Sequence, residues 1–155
     1  MIKKIVTGVL LVSTLTLNAF AYDANKAKDF EKFYSNYTQK ACAKSKLYID
    51  GEEMMKMIRD KNKFTFLDIR TEGETSVVGV KASNLLEIPI EHLFETKNLD
   101  KLPKDELLVV VCYSGTRAIA ATISLKMLGF TNTRVMKFGI MGLAKANSVK
   151  NAPLK

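Results

Sequence analysis

The 155-residue sequence has no tryptophan, a single histidine, two cysteines and three prolines. Two cysteines cannot build the disulfide framework that holds small secreted domains together. Cys42, Cys112 and His92 fall one ligand short of a four-coordinate structural zinc site, so no metal is expected. Few prolines, with 47% apolar and 26% charged residues, exclude collagenous, low-complexity and disordered classes. The length is too short for two ordinary domains and sufficient for one with a real core. Internal repeats and linkers are also missing. So is any basic run interleaved with aromatics, which removes nucleic acid from the expected partners.

Long hydrophobic runs are scarce too, the exception being residues 5–17. This 13-residue stretch is interrupted by Thr7, Ser13, Thr14 and Thr16 and is short of the roughly 20 residues that span a bilayer. Lys3 and Lys4 precede it, and Ala19-Phe20-Ala21 follows with small residues at the two positions a signal peptidase inspects. Residues 1–21 are therefore expected to be a signal peptide, cleaved before Tyr22, leaving no stable membrane anchor. The mature chain is expected in an oxidising compartment, the periplasm. Without Lys3 and Lys4 it has 22 basic and 16 acidic residues, a net charge of +6 that favours anionic small molecules or acidic partners.

Three stretches are expected: the signal peptide, an amino-terminal helical extension over residues 22–46, and the main domain over 47–155. Within residues 23–45, Ala27, Phe30, Phe33, Tyr34, Tyr37 and Ala41 have the spacing of one face of an amphipathic helix, expected to pack as core. A short helix over 52–59 follows, with Met55 and Ile58 at core spacing, and then a strand over 64–68. Another strand is expected over 85–88, ended by Pro89, and a helical turn over 91–95. Leu107, Leu108, Val109, Val110 and Val111 form an unbroken aliphatic run suited to a central parallel strand covered on both faces. The helix over 117–128 is expected to present Ile119, Ala120, Ile123, Met127 and Leu128 on its buried face, with Gly129 ending it. A strand over 133–136 and a helix after Gly139 complete an α/β alternation, which predicts a mostly parallel sheet between helical layers.

Chemistry concentrates where the aliphatic strand ends, at Cys112-Tyr113-Ser114-Gly115-Thr116-Arg117. Sites in open α/β sheets form at the carboxyl ends of strands. The short loop with Gly115 can turn backbone N–H groups inward as an anion nest around the Cys112 sulfur. The following helix start and Arg117 add positive field. All three favour thiolate, the reactive form of a group whose free pKa is about 8.5. Ser114 and Thr116 are candidate hydroxyl donors to an anion in the loop. Four residues separate Cys112 from Arg117, one fewer than in the phosphate-cradling loop of cysteine phosphatases. The smaller ring suits one sulfur atom on the Cys112 sulfur, so sulfur transfer is favoured over phosphoryl transfer.

The hexapeptide Cys112 to Arg117 resembles the active-site loop of the rhodanese, or sulfurtransferase, family. Phe66-Leu67-Asp68-Ile69-Arg70, the acidic residues Glu72 and Glu74, Ile88-Pro89, Leu128-Gly129-Phe130, Val135 and Gly139-Ile140 extend the resemblance over residues 48–146. It implies a three-layer rhodanese-like fold and an exported sulfurtransferase without cofactor. A sulfane sulfur would pass from a small-molecule or protein donor, through a Cys112 persulfide, to a thiol or cyanide acceptor. Arg117 would brace the loop, and Asp68 and Arg70 would support it, against the alternative of a plain surface pair. A non-catalytic sulfur-carrier or partner-binding module is the alternative function. Tyr113 stands where many members have a basic residue, Val80 replaces a His, and Phe138 and Leu143 replace a Gly and a Trp.

Arg117 is the loop's only cation, so thiosulfate, a dianion, is expected to be a poor donor and an organic or protein persulfide the preferred one. His92 is expected to be solvated, and Glu72 and Glu74 solvated or loop-bracing. Two free thiols are expected, with a Cys42–Cys112 disulfide as the alternative.

Overall fold

A computed structural model of the protein describes residues 22–151, so the expected signal peptide lies outside the described residues. The described residues divide into two compact units, 22–38 and 39–151. In the first, α1 (Ala24–Tyr34) starts at Asp23, whose carboxylate accepts from the Asn25 and Lys26 amides. The amphipathic helix is present but not continuous: it stops at Ser35, and α2 (Gln39–Lys44) begins in the second unit. The aromatic stripe makes ring contacts within the first unit. No α1 residue is buried, and Phe33 meets the Tyr34 and Tyr37 rings at 5.1 and 5.2 Å between centroids.

The second unit continues with β1 (Tyr48–Ile49), α3 (Gly51–Arg59), β2 (Phe64–Asp68), α4 (Glu72–Val77), β3 (Leu85–Glu87), α5 (Ile90–Leu93), α6 (Thr96–Leu99), β4 (Leu107–Val111), α7 (Thr116–Met127), β5 (Thr133–Met136) and α8 (Gly139–Ala146). The five strands form one parallel sheet in the order β1-β5-β4-β2-β3. All five β4 residues are buried, as expected of an aliphatic strand with helices on both sides. Alternation along it feeds two cores. Leu108, Val110 and Cys112 face α7 and α5, while Leu107, Val109 and Val111 face α3 and α8.

Two expected helix faces are corrected. Helix α7 buries Ala118, Ala121, Thr122 and Leu125, and leaves Ile119 and Leu128 exposed. Small side chains let the helix lie close to the sheet, so volume, not hydrophobicity, selects the inner face. In α3 the buried pair is Met54 and Met55, and Ile58 is exposed.

From β2 the chain passes to β3 on one side, and from β4 to β5 on the other. The crevice between their carboxyl ends is the switch point at which open α/β sheets place ligands. Asp68 is in register with Val111, and the Ile69 amide donates to the Val111 carbonyl at 2.9 Å. The segment after β2 therefore runs beside Cys112.

Candidate active site

Cys112 follows the last residue of β4 and is buried. Gly115, at φ 102°, turns its amide back to donate to Cys112 Sγ at 3.1 Å. The other side of the loop is held by α8. The Ile140 amide donates to the Cys112 carbonyl at 2.8 Å, and the Met141 amide to the Tyr113 carbonyl at 3.4 Å. These two carbonyls are thereby taken up by α8, and the Gly115 amide is the backbone donor placed on the sulfur. Gly139 makes the approach possible: at φ 58°, a Cβ there would lie 2.2 Å from the Cys112 carbonyl oxygen and 2.5 Å from that of Tyr113. Helix α7 opens directly after Gly115, its positive end toward the sulfur.

Arg117, in the first turn of α7, reaches across the crevice to Glu74, with its two terminal nitrogens 2.8 and 2.5 Å from the two carboxylate oxygens. Glu74 also closes the capping box of α4, accepting from the Thr71 amide at 3.1 Å. Its carboxyl is held at about 2, chiefly by the Arg117 guanidinium and then by the Thr71 amide. The same pairing raises the Arg117 pKa, with a smaller share from the Cys112 sulfur. Arg117 thus ties the start of α7 to the start of α4. Of the two roles open to Glu74, it has the loop-bracing one.

Asp68 and Arg70 are no surface pair, since their side chains are 0% and 1% exposed. Arg70 Nε donates to the Asp68 carboxylate at 2.9 Å, one terminal nitrogen does so at 2.6 Å, and the other donates to the Val78 carbonyl at 2.7 Å. The Asp68 hydrogen bond raises the Arg70 pKa. Ser114 and Thr116 are exposed, and their hydroxyls share a hydrogen bond of 3.4 Å. Tyr113 is 54% exposed and, with Glu74, Val77 and Val78, lines a cavity of about 420 Å³ beside the loop.

Cys42 is exposed and Cys112 buried, and both are free thiols. His92 is exposed and bonds to Glu95 at 2.8 Å. Phe138 adopts the left-handed φ of 63° in the closing turn, and Leu143 is buried in the α3 and α8 core. Glu74 was among the residues expected to brace the loop, but its partner was not legible: the clamp to Arg117 spans 43 residues and has no local signature. The α8 contact was signalled only by Gly139.

The fold is a parallel α/β sheet with a buried thiol in a tight loop at its switch point. Residues 50–146 match the family model of the rhodanese-like domain, and the chain belongs to that family. A sulfurtransferase of Allochromatium vinosum is 28% identical over 97 residues, covering 63% of this chain and 87% of that protein. The probable adenylyltransferase/sulfurtransferase MoeZ of Mycobacterium tuberculosis is 27% identical over 118 residues, 76% of this chain. The chain spans 30% of that relative's length. Among solved structures, a rhodanese-related protein from Thermoplasma volcanium matches with a TM-score of 0.54 at 27% identity, covering 64% of this chain and 92% of that one. A human single-domain sulfurtransferase shares the fold with a TM-score of 0.56 at 19% identity, over 67% of this chain and all of that one.

Proposed function

We propose that the protein is a sulfurtransferase that carries sulfane sulfur as a persulfide on Cys112. The observation that carries this reading is the Gly115 amide on Cys112 Sγ at 3.1 Å, inside a loop whose Cys112 and Tyr113 carbonyls are tied away by α8. The Cys112 thiolate attacks the outer sulfur of a donor persulfide. A new S–S bond forms as the donor's S–S bond breaks, and the donor leaves as a thiolate. The outer sulfur, about 2 Å from Sγ, is held by the loop's N–H groups. An acceptor thiolate or cyanide then attacks that sulfur, taking it as a persulfide or thiocyanate and returning the Cys112 thiolate. No net oxidation occurs and no general base is needed, because nucleophile and leaving group are both anionic.

The mouth favours an organic donor over thiosulfate. Both nearby guanidiniums are engaged, Arg70 by Asp68 and Val78 and Arg117 by Glu74, so neither is free to take up a dianion. Tyr113, Val77 and Val78 offer apolar surface to the organic part of a persulfide. The site is proposed to work outside the cytoplasm, in a mature chain that begins at Tyr22, which amino-terminal sequencing of the exported protein checks.

Intact mass after incubation with glutathione persulfide tests the proposal. One added sulfur atom is expected, lost again on adding cyanide with release of thiocyanate. kcat/KM is expected to be higher for that donor than for thiosulfate with the same acceptor. Failure to gain sulfur from either donor would leave the non-catalytic module as the better reading.

A further inference from the structure

On the other face of the sheet from α7, a cleft of about 800 Å³ opens between α3, α8 and residues 78–84. Small-molecule sites commonly have volumes of about 300–1,000 Å³. The floor is apolar, built from Phe64 and Phe66 of β2, Met55, Ile140 and Leu143. Three lysines line the cleft, Lys61, Lys63 and Lys81, and no Asp or Glu does. Lys63 is bound to Glu106 at 3.2 Å, whereas Lys61 and Lys81 have no ion pair among the described residues. Two further donors, the side-chain amides of Asn62 and Asn147, line the same cleft.

Charge and shape narrow the occupant. An apolar floor beside unpaired ammonium groups and no carboxylate is complementary to a molecule with a hydrocarbon body and one anionic end. A second copy of the chain would bring like-charged rims together. A bilayer surface cannot reach a floor that includes Phe66, which is 2% exposed. We propose that this cleft binds a small amphipathic carboxylate, with its tail along the accessible side chains of Ile58, Val78 and Val80, above the buried aromatic floor, and its head group at Lys61 and Lys81.

The test is titration of the protein, methyl-labelled at Met, Ala and Leu, with dodecanoate below its micelle concentration. Saturable shifts of Met55, Ala82, Leu143 and Ala144 with one site per chain are expected. Dodecyltrimethylammonium is expected to bind at least about tenfold more weakly. Lys61→Asn combined with Lys81→Gln should weaken dodecanoate by about tenfold, the Asn keeping the left-handed φ of 54° at that position at low cost. Ala144→Phe, which fills the cleft, should abolish the shifts. Equal binding of the cationic tail, or unchanged affinity in the lysine double variant, would overturn the proposal. So would shifts that follow protein concentration alone, or that appear only with phosphatidylglycerol vesicles.

Discussion

The carboxyl ends of β2 and β4 lie side by side in the sheet, yet they treat charge in opposite ways. After β2, each of the three guanidinium nitrogens of Arg70 donates to an acceptor, and the pair with Asp68 is closed off from water. After β4, the Cys112 and Tyr113 carbonyls are taken by α8, and the Gly115 amide points at the sulfur. The first arrangement supports structure, whereas the second is the one on which the proposed sulfur chemistry rests. The difference shows that a buried arginine near a catalytic loop need not serve the chemistry. Here it fixes the rim against which the reactive loop is built.

The sharpest way to break this comparison is to remove the sulfur from the β4 end. Cys112→Ser should lose all sulfur loading by mass spectrometry and shift the urea unfolding free energy by no more than ~0.5 kcal/mol, since the hydroxyl can accept the same Gly115 amide. Loading that persisted would move the chemistry to Cys42. At the β2 end the effect should fall on stability. Asp68→Ala strands the buried Arg70 cation and is expected to cost ~3–5 kcal/mol in urea unfolding, while Asp68→Leu with Arg70→Met should cost less than the single change. A single-variant cost below ~1 kcal/mol would mean that the pair does not support the fold.

Glu74→Gln loosens the strap between the two ends. The Arg117 and Glu74 side chains are each about one-third exposed, so stability should fall by less than ~1 kcal/mol. kcat/KM should drop by about tenfold, the equivalent of ~1.4 kcal/mol of lost positioning. The Glu74 carboxyl is lowered in the folded protein, from 4.5 to about 2. Its contribution is therefore complete above about pH 5 and is lost as pH falls from there through 2. The stability gap between wild type and Glu74→Gln should narrow over that window, and a constant gap would break the assignment. The smallest effect is expected at the closing turn. Phe138→Gly relieves a left-handed residue worth ~1–2 kcal/mol and adds back part of that as chain entropy, for a net gain below ~1 kcal/mol in thermal unfolding.

Runs of β-branched and aliphatic residues made β2, β4 and β5 legible to within a residue, because a strand buried on both faces needs little beyond hydrophobicity. The loop from Cys112 to Arg117 was legible for a related reason: residues adjacent in sequence build most of it. Helix α7 was not. Its largest apolar side chains include Ile119, which is exposed, and its inner face combines Ala118, Ala121 and Thr122 with Leu125, because that face is chosen by the distance to the sheet. The standing of Asp68 and Arg70 was undecidable from their spacing, since burial there depends on the Val78 segment folding over them. Glu74 meets Arg117 only through the parallel pairing of β2 with β4.

The support from α8 also sets a schedule. Cys112 emerges from the ribosome well before Gly139, Ile140 and Met141, and until those residues fold back, the Cys112 and Tyr113 carbonyls are free to rotate toward the sulfur. A chain cut after β5 would contain all five strands and the complete hexapeptide, and would lack the contact that sorts donors inward from acceptors outward. The geometry of the Cys112 loop is thereby made dependent on a segment that lies beyond the last strand.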